Sequence, residues 1–105
     1  MEKPAILPRT MLLEEFTPLV GRIILADCDP RPAELTLVEA TPLRHQIEGA
    51  RSPFIAIFRS SPQVLLVSGN YVMHTAGFGP DLIYISQVAA PLGAAEGHYY
   101  QAVFN

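Results

Sequence analysis

The chain has 105 residues, of which 50% are hydrophobic and only 16% charged, and its formal net charge is −3. This length gives one compact core and argues against two domains. The charged fraction lies below the about 25% of ordinary globular domains, so the surface must be poor in charge. The basic residues are spread along the chain without forming a basic stripe, which disfavours nucleic-acid binding.

No apolar stretch is long enough to cross a membrane as a helix. The longest uninterrupted run is Phe54 to Phe58, whereas a helical span needs about 20 residues. Pro8 and Arg9 interrupt the apolar residues near the N-terminus before a secretion signal can form, so a cytoplasmic protein is expected. The single cysteine allows no internal disulfide, which agrees with a reducing compartment.

Prolines divide the chain into short apolar runs. They leave little room for ordinary helices, and their spacing matches that of strands in a sandwich or barrel, about 8 to 12 residues apart. The sequence predicts one all-β domain over residues 1–105, with six to seven antiparallel strands in a small barrel or sandwich and a flexible N-terminal arm at residues 1–9. The predicted strands are 22–26, 34–40, 54–59, 63–67, 71–75, 81–89 and 98–104.

One short N-terminal helix is predicted at residues 10–16. Thr10 is a candidate N-cap, and Glu14, four residues later, is its candidate capping partner. Pro18 and Gly21 end the helix. The apolar side chains of this segment recur at helical spacing, so the helix is expected to plug an open barrel end or cover a sheet edge.

Two turns are predicted from their residue types. The run Asp-Cys-Asp-Pro-Arg-Pro at residues 27–32 reverses the first strand into the second. Gly69 and Asn70 predict a two-residue type II′ hairpin. The polar connection 41–52 fits either a loop or one helical turn.

The segment 54–58 is apolar on both faces of a strand. Phe54, Ala56 and Phe58 share one face, and Ile55 and Ile57 share the other. A strand in so small a protein seldom buries both faces by itself. Either the helix or another subunit covers one face, so Ile55 and Ile57 are candidate interface residues.

The C-terminal strand, residues 98–104, contains neither proline nor a charged side chain, and therefore lacks the usual protection of an exposed edge. We expect it to be paired on both sides, by strand 81–89 and by a second strand. The favoured second partner is strand 22–26, which would close a barrel; the alternative is the same strand of another subunit. Alternation places Tyr100 in the core and Tyr99 outside, so Tyr99 is the third candidate interface residue.

No residues form a catalytic or metal-binding pattern. Cys28 lies between Asp27 and Asp29, whose carboxylates oppose thiolate formation. The three histidines have no metal-ligand spacing. Glu39 and Glu48 are carboxylates near apolar segments, but neither has a partner for acid–base chemistry. We therefore predict no enzymatic activity, no metal and no cofactor.

Two functions fit these features. The first is a non-catalytic β domain for self-association or protein–protein interaction, with a homo-oligomer, most simply a dimer, as the expected state. The alternative is a carrier of a small apolar ligand inside a barrel, with a cavity lined by Phe54, Phe58, Tyr84 and Tyr100.

Four segments, together spanning nearly the whole length, carry a resemblance to a known family. They are Leu13-Glu-Glu-Phe-Thr-Pro-Leu-Val-Gly21, Leu35-Thr-Leu-Val-Glu-Ala-Thr-Pro-Leu-Arg44, Pro53-Phe-Ile-Ala-Ile-Phe-Arg59 and Tyr100-Gln-Ala-Val-Phe-Asn105. With them the chain resembles small bacterial proteins catalogued only as a domain of unknown function. The resemblance implies a single β domain and no catalytic residue, and it suggests as a third alternative a structural role near phage-tail-like fibre proteins. The chain departs from the family's usual Pro-Gln-Gly turn around residues 64–70, which weakens the case for a strand at 63–67.

Overall fold

The structure, a computed structural model, describes residues 6, 8–43 and 53–105. Within them the chain begins with a short helix, α1 (Leu13–Phe16), and a 3₁₀ turn (Thr17–Leu19). Six strands follow: β1 (Ile23–Ala26), β2 (Ala33–Pro42), β3 (Phe54–Ser60), β4 (Gly69–Thr75), β5 (Phe78–Val88) and β6 (His98–Phe104). They form a closed antiparallel barrel in the order β1-β2-β3-β6-β5-β4, which confirms the all-β prediction and decides for a barrel over a sandwich.

The C-terminal strand β6 is paired on both sides, as predicted, but its second partner is not β1. All of β3 pairs with all of β6, from Phe54 opposite Phe104 to Ser60 opposite His98. Strand β1 pairs with β2 and β4 instead, so the prediction that β1 pairs with β6 is wrong. Both edges of β1 are taken by β2 and β4, so β1 has no edge free for β6 and the barrel closes through the β1–β4 ladder.

Two local predictions between β3 and β5 are wrong. Residues 63–67 form no strand, because turn and side-chain hydrogen bonds replace a strand ladder there. Ser60 Oγ donates to the carbonyl of Val64 at 2.6 Å, and the Leu66 N–H donates to Tyr100 Oη at 3.0 Å. Gly69 does not turn the chain either, since it pairs with Ile85 as the first residue of β4.

The β4–β5 turn lies instead at residues 76–77, where Gly77 has a φ of +82°. A tight turn requires such a left-handed conformation, and glycine adopts it without a steric penalty. Strand β4 therefore begins where the hairpin was predicted and continues to Thr75.

The barrel interior is filled by side chains. Along β3 the residues Phe54, Ala56 and Phe58 are at most 1% exposed, and Tyr100 of β6 is fully buried, as the alternation predicted. The largest side chains buried in the described residues are Tyr100, Phe16, Phe54, Phe58, Ile24, Leu35, Leu37, Met73, Ile83 and Ile85.

The N-terminal segment closes one end of this barrel. Phe16 is 0% exposed, and its ring centroid lies 5.1 to 5.4 Å from those of Phe54, Phe78 and Phe104. The expected plug is present, but the helix is shorter than predicted and begins after Leu12 rather than after Thr10. Its first turn is stabilised by the side chain of Glu15, which accepts a hydrogen bond from the Leu12 N–H at 2.8 Å.

Arg9 fastens this plug to the barrel wall. Its guanidinium donates to both carboxylate oxygens of Asp81 on β5, at 2.7 and 2.9 Å, and to both of Glu15, at 2.7 and 3.1 Å. Asp81 is only 6% exposed, so its pairing with Arg9 compensates the burial of a carboxylate. Of the predicted N-terminal arm, residues 1–5 and 7 lie outside the described residues.

The pairing with Arg9 predicts an acid-sensitive contribution to stability. Hydrogen bonds from the Arg9 guanidinium lower the pKa of Glu15 below its ordinary value of 4.5. The unfolded chain then binds a proton more readily than the folded chain, so this contribution is present above about pH 4.5 and is lost as the pH falls through the lowered pKa.

We expect Glu15→Gln to be less stable than the wild type at pH 7 and to differ less from it below pH 4. Urea denaturation at several pH values measures this difference. Glu14→Gln, on the same helical turn, is the control and should track the wild type at every pH. A gap between Glu15→Gln and the wild type that widens in acid contradicts the prediction.

Candidate interaction surface

An apolar area lies on the outer face of β3 and β6, where alternate side chains point away from the core. Ile55 pairs with Val103 and Ile57 with Gln101, so the four side chains form two adjacent rows. Val103 is 47% exposed, and both isoleucines are half-buried. These four residues, Ile55, Ile57, Gln101 and Val103, are called the β3–β6 face below.

The β3–β6 face continues onto uncharged side chains of β5, along a groove that Arg9 also lines. Ser86 pairs with Gln101 and extends one row, and Tyr84, two residues earlier on the same face of β5, is 55% exposed. The outward residues of β5 from position 82 to 88 are Leu82, Tyr84, Ser86 and Val88. A sparsely charged surface was expected from the composition, and these outward side chains of β5 are uncharged.

Two charged residues of opposite sign border this face. Glu39 of β2 is the register partner of Ile57, and Arg59 follows Ile57 by two residues on the same face of β3. Glu39 is exposed and Arg59 is half-buried. The Glu39 carboxylate accepts a hydrogen bond from Thr41 Oγ1 at 2.6 Å. Among the described residues, no salt bridge involves either of them.

Arg59 is held in place by a close approach of the backbone. Gly97 has a φ of +143°, and a Cβ atom added there would meet Arg59 Cγ at 3.0 Å and overlap the carbonyl oxygen of Ser60. Glycine at this position therefore lets the chain pass directly over the aliphatic stem of Arg59. Beyond the stem, Arg59 lines a cleft together with Glu34 and Glu96.

Tyr99 differs from the two isoleucines. It points to the outer face of β6, as predicted, but it is only 2% exposed and is therefore a covered aromatic side chain. The connection between β5 and β6 folds back over it, and the Tyr99 hydroxyl donates to the carbonyl of Ala95 at 2.7 Å. A side chain so covered offers little area to a partner.

Sequence reasoning identified Ile55 and Ile57 but missed the residues that complete the surface. Alternation along β6 placed Val103 on the outside, yet nothing in the sequence showed that β6 lies beside β3. The same holds for Glu39, which becomes a neighbour of Ile57 only through the β2–β3 register, whereas Arg59 lies two residues from Ile57 on the same strand. That register contains a bulge between Leu37 and Glu39, which local residue types did not predict.

The predicted ligand cavity is not formed by the residues proposed for it. Phe54, Phe58 and Tyr100 are buried and pack together in the core. Tyr84 lies on the outside of the barrel at 55% exposure, so its assignment to a cavity is wrong. The Tyr100 hydroxyl is within 2.8 Å of Ser60 Oγ and accepts from the Leu66 N–H, which ties it to the structure of the barrel end.

The remaining candidates for chemistry are dispersed. Cys28 is half-buried and packs against the core. His74 Nε2 lies 3.7 Å from an Asp27 oxygen, and His98 Nε2 lies 3.2 Å from the carbonyl oxygen of Pro62. Within residues 6, 8–43 and 53–105, no three His, Cys, Asp or Glu side chains are placed to hold a metal ion. His45 and Glu48 lie outside the described residues.

Taken together, these features define a small, side-chain-filled antiparallel β-barrel whose N-terminal segment plugs one end and whose outer wall carries an apolar face. The chain belongs to the family described as Domain of unknown function (DUF6916), which matches residues 11–104. The family match confirms the resemblance to a domain of unknown function. No curated protein and no solved structure matches the chain. In the part of the chain that the structure describes, no helix is long and apolar enough to cross a membrane.

Proposed function

We propose that this domain is a non-catalytic protein-association module that acts through the β3–β6 face. The observation that carries the proposal is the two adjacent rows of that face, Ile55 with Val103 and Ile57 with Gln101, on a closed barrel. Interface centres are depleted in charged residues, and exposed apolar patches mark interaction sites.

The sequence indicated that the second apolar face of β3 needs a cover. The helix does not provide it. Phe16 of α1 packs against Phe54, which belongs to the inner face. Ile55 and Ile57, on the opposite face, are only half-buried. This arrangement supports the second alternative raised by the sequence, namely that another polypeptide covers the outer face.

The filled interior supports association over ligand carriage. A carrier needs an apolar space of about 300 Å³ or more inside the barrel, whereas here large aromatic and aliphatic side chains occupy that position. Eight-stranded barrels are just wide enough to fill with side chains or hold one small ligand, and six strands enclose less.

The test is a glutamate placed in the middle of the face. We expect wild-type protein to sediment above its monomer mass of 11.5 kDa at micromolar concentration, and Ile57→Glu to sediment as a folded monomer. The physical reason is that an interface centre cannot solvate a buried carboxylate. Leu65→Glu is the matched control, because Leu65 is 59% exposed but lies outside this face, and it should associate like the wild type.

Circular dichroism shows whether each variant is folded. Since Ile57 is half-buried, Val103→Glu, at a position that is 47% exposed, provides a second variant that leaves the core untouched. A strictly monomeric wild type, or folded Ile57→Glu and Val103→Glu proteins that associate like the wild type, would overturn the proposal.

A further inference from the structure

We infer that the occupant of the β3–β6 face is a second copy of this chain, related by a two-fold axis that passes beside Ile57, with Glu39 of each copy against Arg59 of the other. This inference rests on the proposed function, since it names the partner for that same face. It is carried by the positions and signs of the two charges that border the face.

Glu39 and Arg59 lie on two different sides of Ile57. Glu39 is directly across the ladder on β2, about 4.8 Å away in strand spacing, and Arg59 is two residues along β3, about 6.7 Å away. The Cα atoms of the two charged residues are therefore about 8 Å apart along a diagonal next to Ile57.

A two-fold axis pairs such charges automatically. A two-fold rotation that carries the position of Glu39 onto that of Arg59 also carries Arg59 onto Glu39. The axis lies in the plane of the interface. It is perpendicular to the diagonal that joins the two residues and crosses that diagonal at its midpoint. It therefore passes close to Ile57, which contacts Ile57 of the other copy, and two acid–base contacts flank this apolar centre. Each copy brings one charge of each sign, so the face is complementary to itself.

Neither charge forms a salt bridge with the described residues of its own chain; Glu34 and Glu96 line the same cleft as Arg59. No carboxylate among the described residues lies within ion-pair distance of Arg59, and the hydrogen-bond partner of the Glu39 carboxylate is the hydroxyl of Thr41. Gly97 confines the stem of Arg59 and so reduces the side-chain entropy that is lost when its guanidinium meets a carboxylate. Arginine also suits this role because its planar donors match a carboxylate bidentately.

Charge reversal tests the pairing. Glu39→Arg leaves two positive charges at each border, and Arg59→Glu leaves two negative charges, so we expect each variant alone to self-associate about tenfold more weakly or worse. A mixture of the two variants should form heterodimers with near wild-type affinity, and the double variant Glu39→Arg/Arg59→Glu should recover self-association. Sedimentation velocity with one variant fluorescently labelled measures both effects.

Glu14→Arg serves as the control, because it reverses an exposed charge on α1, outside the β3–β6 face, and should leave self-association unchanged. If Ile57→Glu disrupts association but the charge variants associate like the wild type, or if their mixture fails to restore association, the inference is wrong and the proposed function stands. If the wild type is monomeric, both are wrong. Equal thermal midpoints of the variants show that folding is not the cause.

Discussion

Replacing Phe16 with alanine is expected to lower the free energy of unfolding by about 3 to 5 kcal/mol. The ring is fully buried, and it contacts three other phenylalanine rings at one end of the barrel. Alanine would leave a cavity among Phe54, Phe78 and Phe104, and each of these rings would also lose an aromatic contact. Urea denaturation followed by circular dichroism measures the change.

Leu12→Ala is the matched control for the plug. Leu12 precedes the same helix but is 47% exposed, so its truncation should cost less than about 1 kcal/mol. If Phe16→Ala cost no more than Leu12→Ala, the plug would not be part of the cooperative core. A contribution of the expected size instead means that the N-terminal segment folds with the barrel as one unit.

Replacing Gly97 with alanine is expected to destabilise the protein by about 3 kcal/mol or more, although it adds only one methyl group. Two effects combine. The φ of +143° is strained for any residue with a Cβ, and that Cβ would overlap the carbonyl oxygen of Ser60. Since Ser60 is the last residue of β3, its displacement would disturb the end of the β3–β6 ladder.

Gly93→Ala separates these two effects. Gly93 also has a positive φ, +76°, but no atom lies within 4 Å of a Cβ added there. It should therefore show the conformational cost alone, about 1 to 2 kcal/mol. Thermal or urea denaturation measures the stability of both variants. If they lose the same free energy of unfolding, the overlap with Ser60 does not contribute to the destabilisation.

Gly97→Ala also bears on association. Because a Cβ at position 97 would meet Arg59 Cγ at 3.0 Å, the added methyl group should shift the Arg59 side chain from its position. At a temperature where the variant is folded, its self-association should then be weaker than that of the wild type, whereas Gly93→Ala should associate normally.

Several features of the protein were determined by the sequence alone. The spacing of prolines and the content of β-branched and aromatic residues indicated an all-β domain. The alternation in segment 54–58 and in the C-terminal strand identified both faces of β3 and β6 correctly, since side chains of a strand alternate whatever its neighbours are. The apolar spacing around Phe16 indicated the plug for the same local reason.

Tertiary structure decided what depends on which strands meet. Strand β6 pairs with β3 rather than with β1, whose two edges are taken by β2 and β4, and this non-local pairing brings Val103 beside Ile55. Residues 63–67 have strand-like composition, but their backbone groups bond to a turn and to Tyr100 Oη, so they form no strand. Likewise Tyr99 is covered by a loop whose path no local pattern shows.

The candidate interaction surface was likewise predicted from the sequence only in part. Ile55 and Ile57 were identified from the sequence, because two apolar faces on one strand demand a second cover. Glu39 was not, because its position beside Ile57 depends on the β2–β3 register and its bulge, whereas Arg59 lies two residues along the same strand. A strand pattern is a property of consecutive residues, whereas a register is fixed by long-range packing, and a one-residue shift would turn Glu39 to the opposite face.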